Sequence, residues 1–264
     1  MASMRNRAVQ NYKAVFISDL HLGSPDCKHD ILNKFLESFS TEYLFLVGDI
    51  IDIEYLNRKP RAWRKTHTDI IRKILKINSG NTKVVYIKGN HDESLFQFGD
   101  LEIEGIEIAQ RYEYRSKNGK LLLIEHGDQF ELREEEVYWR KKIGSASYKL
   151  LLAIDNLAAS ISSKFGLKYF SLATPIKSII PQVKRYVTKF ESNAIATCKS
   201  KGFDGIICGH IHFPNKIVSD DFSYLNCGDW VENCSALVEH HDGTMHLISD
   251  KTREKSEAFV PFPT

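Results

Sequence analysis

Apolar, β-branched runs recur along the chain, and each is followed by Asp, His or Asn. Ala14–Ser18 (AVFIS), Tyr43–Val47 (YLFLV), Val84–Ile87 (VVYI), Leu121–Ile124 (LLLI) and Gly205–Cys208 (GIIC) predict short strands with little polar alternation. Between the first three runs the period changes. Ile31, Leu32, Phe35, Leu36 and Phe39 share one helical stripe, predicting a helix over about Lys28–Phe39. Ile70, Ile71, Ile74, Leu75 and Ile77 predict a second over Trp63–Ile77. Strand–helix–strand alternation implies parallel pairing through right-handed crossovers. From Gly105 the pattern shifts to short strands at Ile106–Ile108, Arg111–Arg115 and Lys120–Ile124, and Asn118-Gly119 is a hairpin turn signal. These predict a second sheet.

The stretch from Glu131 to about Lys201 reads as mostly helical. Leu150, Ile154, Leu157, Ile161 and Phe165 recur at helical spacing, Leu151, Leu152 and Ala158 widen that face, and Gly166 suits a helix stop. Pro175 and Pro181 interrupt the pattern before Val183, Val187, Phe190 and Ala194 set up a helix that feeds the GIIC strand. The surplus, residues 131–181, is a helical insertion or lid within one domain spanning residues 1–264. The Leu150–Phe165 stripe reads either as core or as a substrate groove. Phe222–Asn226, Ala236–Glu239 and Met245–Ile248 predict closing antiparallel strands.

Composition narrows the function classes. A net charge of +2 does not argue for a nucleic-acid partner. Five cysteines without paired spacing suit a reducing compartment rather than a disulfide framework. The N-terminal residues have basic charge but no apolar stretch of a secretory signal, and no run of about 18 apolar residues exists.

The chemistry lies in Asp19-x-His21, Gly48-Asp49, Gly89-Asn90-His91-Asp92, His126-Gly127-Asp128 and Gly209-His210-x-His212. Each lies at or near the end of a predicted strand, so the strands deliver their side chains to one sheet edge, where open α/β sheets bind ligands. Imidazole, carboxylate and amide oxygen are ligands for divalent metals. His210 and His212 would share one face of a strand, although a loop permits both to be ligands too. Asp92 could orient the His91 imidazole. Asp52 reads as a helix cap. Asp128 reads as a turn residue or as a hydrogen-bond acceptor behind the site, and Asp229-Trp230 as packing beneath it. His67, His240, His241 and His246 read as surface residues.

In order and chemistry these motifs resemble the calcineurin-like metallophosphoesterase superfamily, from about Lys13 to about Ile248. The resemblance implies an α/β fold, a four-layer αββα sandwich of two facing sheets flanked by helices. It implies two divalent ions, with manganese expected and iron or zinc as other choices. Asp19, His21, Asp49 and His212 would hold one ion, and Asp49, Asn90, His126 and His210 the other. His91 takes the place of the non-ligand catalytic histidine, which stabilises charge or protonates the leaving oxygen.

Within the superfamily, SDLHLG, VGDIID, KGNHDE, EHGD, CGHIHFP and LNCGDWVEN, with the helical insertion, resemble the UDP-2,3-diacylglucosamine diphosphatase branch. That branch implies a pyrophosphatase that releases UMP from a nucleotide-linked lipid, in lipid A synthesis, at the cytoplasmic face of a membrane. A soluble phosphodiesterase or nucleotidase of the same mechanism is the second reading. A non-catalytic interaction module is the third; it predicts missing ligands, whereas every ligand position is filled.

Overall fold

The structure is a computed structural model and describes residues 9–96, 104–131 and 181–249. Eleven strands in these residues form two mixed sheets. The first has the order β11-β10-β1-β2-β3-β4. Its strands are β1 (Gln10–Ile17), β2 (Phe39–Val47), β3 (Lys83–Ile87), β4 (Glu107–Ala109), β10 (Ser235–Glu239) and β11 (Met245–Ser249). The second has the order β5-β6-β7-β9-β8. It contains β5 (Arg111–Arg115), β6 (Leu121–Glu125), β7 (Gly205–Cys208), β8 (Asn215–Val218) and β9 (Ser223–Asn226). The described α-helices are α1 (His29–Leu36), α2 (Ile53–Arg58), α3 (Lys65–Asn78) and α4 (Pro181–Ser200).

The near-continuous apolar runs follow from burial on both faces. In β1, Ala14 and Phe16 face a core shared with Leu122, Ile124, Ile207 and Leu225 of the second sheet. The alternate residues Val15 and Ile17 join Leu32, Phe35, Ile70 and Ile74 of α1 and α3. On the outer side of the second sheet, Leu123, Ile206 and Cys208 meet Phe190, Ala194 and Cys198 of α4. The layers are therefore helix, sheet, sheet, helix. Each fully buried large side chain contributes about 1.5–3 kcal/mol, so the two-sided strands dominate the core.

β1 to β4 are parallel, as are β6, β7 and β9, so their carboxyl ends collect along one edge of each sheet. The two facing edges form the floor of the site.

Three expectations need correction. Ile106–Ile108 pairs one residue later, as β4, and lies parallel to β3 in the first sheet rather than starting the second. The strand predicted at Phe222–Asn226 is antiparallel to β8 but parallel to β7. His67 is buried, with its ring edge-on to Trp63, and His240 and His246 stack edge-on at half-buried positions; only His241 is exposed. His67 Nδ1 accepts from Arg64 N–H (3.2 Å) while its ring packs on Trp63, and His240 lies edge-on to Tyr12, so these imidazoles fill space as aromatic rings do. All five cysteines are free and buried. No described helix is long and apolar enough to cross a membrane. The lid expected at residues 131–181, with Leu150, Ile154, Leu157, Ile161 and Phe165, lies outside the described residues apart from its end residues.

Candidate metal centre

At the carboxyl ends of β1, β2 and β7 the chain turns through the left-handed region on residues other than glycine. Asp19, His21, Asp49, His210 and His212 have φ of 54°, 47°, 53°, 69° and 51°. This conformation costs an L-residue about 1–2 kcal/mol, so something must hold it. Bonds between the loops do so. Asp19 N–H donates to the Gly48 carbonyl (3.1 Å), His21 N–H to Asp49 (2.9 Å) and Leu22 N–H to Ile50 (2.9 Å). Trp230 N–H donates to the Asp19 carbonyl (3.0 Å). Trp230 is buried against Phe35, packing beneath the site as expected.

Two clusters of donors result. In one, His21 Nε2 lies 3.2 Å from His212 Nε2, and His212 Nε2 lies 3.2 Å from Asp19 Oδ1. In the other, His126 Nε2 lies 3.3 Å from Asp49 Oδ2 and 3.3 Å from His210 Nδ1. Asp49 stands between them, since its Oδ2 is also 3.9 Å from His21 Nε2. His210 and His212 lie in the loop after β7, not in a strand, and turn to different clusters. Asn90 is exposed, but its neighbours fix its place: His91 N–H donates to Asp49 Oδ1 (2.8 Å), and a Cβ on Gly89 would lie 2.2 Å from that same oxygen.

These residues fit divalent ions. Asp19 Oδ1 is buried without a well-formed hydrogen bond and faces the His212 and His21 rings at 3.2 and 3.8 Å, a carboxylate position that a cation would satisfy. His126 Nδ1–H donates to the Val47 carbonyl (2.9 Å), so in the neutral ring Nε2 is the lone pair, facing Asp49 and His210. His21 Nδ1 faces Asp52 Oδ2 at 3.4 Å, which likewise leaves its Nε2 for the cluster. Imidazole nitrogens facing each other, with their protons engaged elsewhere, suit a shared cation. The fit is close: a Cβ on Gly209 would lie 1.8 Å from Ser18 Oγ and 2.4 Å from Asp19 Oδ2.

Electrostatics agree. Burial opposes ionisation of Asp49, but the adjacent His126 outweighs it and holds the carboxyl well below its usual range. Burial likewise opposes charge on His126, yet Asp49 pushes it up to about 10. Burial also disfavours charged Asp19, and His212 overrides it to lower the carboxyl. Imidazolium charge thus balances the carboxylates when no ion is bound, and bound ions would displace those protons.

His91 and Asp92 part company. Asp92 is fully buried and turns away from His91. Its Oδ2 accepts from Ile50 N–H (2.8 Å) and the Tyr86 hydroxyl (2.7 Å), and its Oδ1 from Gly89 N–H (2.7 Å). The expectation that Asp92 orients His91 is therefore corrected: its oxygens fasten the loop instead. The carboxylate that meets His91 is Asp52, with Oδ1 3.0 Å from His91 Nδ1. The same oxygen accepts Tyr55 N–H (2.8 Å) and so caps α2. Reading Asp52 as a cap is right but incomplete; its position three residues after Asp49 was the available signal.

Two other partners were missed. Glu131 Oε2 lies 3.3 Å from His210 Nε2, and its other oxygen accepts from the Tyr186 hydroxyl. Asn233 Nδ2 donates to the His212 carbonyl (3.1 Å) and to Asp229 Oδ2 (2.5 Å), which steadies the His212 loop.

The profile of the calcineurin-like phosphoesterase family matches residues 12–214, which contain every donor of both clusters. The chain belongs to that family. As a calcineurin-like phosphoesterase it is a metal-dependent phosphoester hydrolase, and its His/Asp clusters are able to take divalent ions. No curated protein matches the sequence. Solved structures similar to it include vacuolar protein sorting 29 from Cryptosporidium parvum, at 11% identity over 89% of this chain and 94% of that one, TM-score 0.40. They also include zinc-complexed Vps29 from Entamoeba histolytica, at 11% identity over 89% of each chain, TM-score 0.41. A third is phosphopantetheinyl hydrolase from Mycobacterium tuberculosis, at 15% identity over 84% of this chain and 91% of that one, TM-score 0.40. Likeness at this level says nothing of substrate.

Proposed function

We propose that this phosphoesterase hydrolyses a phosphoanhydride or phosphodiester using two divalent ions, manganese first among them. Asp19, His21, Asp49 and His212 would hold one, and Asp49, Asn90, His126 and His210 the other. The observation that carries this reading is Asp49, which belongs to the donor group with His126 and His210 and whose Oδ2 also lies 3.9 Å from His21 of the neighbouring group with Asp19 and His212. When bound, such a pair of ions acidifies water and polarises a phosphoryl oxygen.

The chain's own residues supply the rest. Asp49 and Asp19 remain ionised despite burial, and a bound ion would take the place of the His126 proton. Backbone N–H groups of His91 and His210 each anchor one carboxylate oxygen, at 2.8 and 2.9 Å, so the other oxygen is held in a fixed direction. Asp52 engages His91 Nδ1, which leaves Nε2 to carry or deliver a proton to the leaving oxygen.

For the substrate, we infer a UDP-2,3-diacylglucosamine diphosphatase-like pyrophosphatase that releases UMP. Support comes from the wording of the six motifs and from the insertion at residues 131–181 with its apolar stripe. Contact with a membrane surface belongs to this reading. One observation favours the second reading, a soluble phosphodiesterase or nucleotidase: the better-known enzymes of that branch read Gly-Asn-Arg-Asp where this chain has His91, and Arg and His meet a diphosphate differently.

A product assay separates the two. Wild-type enzyme with Mn²⁺ is offered UDP-diacyl sugar, UDP-sugar, cyclic nucleotides and simple aryl phosphodiesters. UMP release that depends on the acyl chains is expected. Equal turnover of the acyl-free UDP-sugar would hand the assignment to the second reading.

A further inference from the structure

We propose that Tyr55, Arg58, Lys59 and Arg61 form a subsite for the non-reacting phosphoryl group of a diphosphate substrate, on the rim of the metal centre. This rests on the pyrophosphatase reading and extends it by naming where the second phosphoryl group sits.

Position comes first. α2 begins at Asp52, the residue that touches both His91 and His21. Glu54, in its first turn, has Oε2 3.8 Å from His91 Nδ1 and Oε1 3.6 Å from Arg58 Nη1. The Arg58 guanidinium is thus one carboxylate away from the catalytic imidazole. Beyond it lies a shallow, solvent-open depression of about 440 Å³ lined by Tyr55, Arg58, Lys59, Pro60, Arg61 and Ala62.

Charge comes second. Arg58, Lys59, Arg61, Arg64 and Lys65 are five cations in eight positions, and no acid occurs between Glu54 and Asp69. The whole chain carries only +2, so this is a local concentration. All five are exposed. Arg58 shares Glu54, but among the described residues no carboxylate meets Lys59 or Arg61. A solvated basic face normally intersperses acids to limit its own repulsion. Here repulsion among the cations is left for an anion to relieve.

Chemistry and rigidity come third. Guanidinium forks and an ammonium recognise phosphate oxygens, and the Tyr55 ring and hydroxyl supply a wall. Lys59 and Arg61 flank Pro60, which opens the 3-10 turn Pro60–Ala62 and fixes φ there. The two cations are therefore presented by a stiffened turn rather than a free loop. A phosphate headgroup of a lipid shares this chemistry. The contact chain through Glu54 to His91 favours the substrate's own phosphate.

The test compares Mn²⁺-loaded wild type with an Arg58→Ala/Lys59→Ala/Arg61→Ala variant. Pyrophosphate and orthophosphate are used as competing inhibitors of bis(4-nitrophenyl) phosphate hydrolysis, with bound metal and melting temperature as controls for folding. Wild type should prefer pyrophosphate, and the variant should lose that preference by roughly tenfold or more. Arg58→Glu/Arg61→Glu should lower it further, and Arg58→Lys/Arg61→Lys should retain most of it. KM for a UDP-sugar should rise in the triple variant more than kcat falls. An unchanged pyrophosphate preference with diester turnover intact overturns the subsite and leaves the hydrolase standing. Absence of metal-dependent turnover in wild type overturns the hydrolase instead; calorimetric pyrophosphate binding that the triple variant loses would then still uphold the anion subsite. If the variant sheds only its binding to phosphatidylglycerol vesicles and keeps the pyrophosphate preference, the patch serves a lipid surface and the proposal fails.

Discussion

The two edges of the sheets use the same left-handed backbone conformation for different purposes. Before β6 and β7 the chain reverses on Gly119 and Gly202, with φ of 83° and 81°, and a Cβ at either would meet nothing within 4 Å. At the opposite edge the same φ region is filled by Asp19, His21, Asp49, His210 and His212. Where only a reversal is needed, glycine adopts this conformation without strain. Where a ligand-bearing side chain is needed, the strain is retained, and bonds between neighbouring loops offset it. Stability is thus given up at one edge so that carboxylates and imidazoles converge there.

The largest test of this contrast is metal removal. Chelation should abolish hydrolysis, and Mn²⁺ should restore it better than Mg²⁺, because four of the expected ligands are imidazoles. Rates in stripped and reloaded enzyme decide it, and full activity with excess chelator would sink the mechanism. Next, His91→Ala should keep its metals while turnover falls by about 10²–10⁴-fold. Asp52→Ala should lower kcat by a smaller factor, about 10-fold to 10²-fold, because the His91 ring loses the carboxylate that holds it. Metal-free Asp52→Ala protein would instead make Asp52 a ligand.

A pH effect comes third. Asp49 raises His126 to about 10, against burial. In the metal-free protein this contact adds stability that is fully present below the unfolded histidine range near 6.5 and is lost as pH rises through about 10. Ion binding must expel that proton, so metal affinity should climb from pH 6 to 9, by about tenfold per unit for each proton released. Calorimetry in buffers of different ionisation enthalpy measures the release.

The smallest effects address the strain itself. His212→Gly and His212→Ala both delete a proposed ligand, but glycine should leave the metal-free protein about 1 kcal/mol more stable than alanine does. Equal denaturant midpoints would mean that no strain is held there. At the far edge, Gly202→Ala should destabilise by about 1 kcal/mol with activity unaltered. A fall in its turnover would show that the two edges are coupled.

Much of this was legible in the sequence, for physical reasons. Strands buried on both faces announce themselves as apolar runs, and the residues after them had to reach one edge once parallel pairing was inferred. Asp19, His21, Asp49, His126, His210 and His212 converge there. Elements with little burial were not legible. α2 buries no residue, and β8 is largely exposed, so neither shows a periodic stripe. β4 carried a strand pattern, but three residues do not reveal which sheet they join. The partner of His91 was missed because sequence adjacency favours Asp92, whereas the loop turns Asp92 under to Tyr86 and brings Asp52 across from α2. Glu131 and Asn233 contact His210 and His212 only through tertiary folding, and no spacing rule points to them.

The central claim is a two-ion centre shared at Asp49. It is tested most directly by counting ions per chain, by elemental analysis after loading with Mn²⁺ and removal of the excess, in wild type and Asp49→Ala. Two ions in the wild type, both lost or severely weakened in the variant together with turnover, is the predicted result. An Asp49→Ala protein that keeps two ions per chain, or a wild type fully active with one, would contradict it.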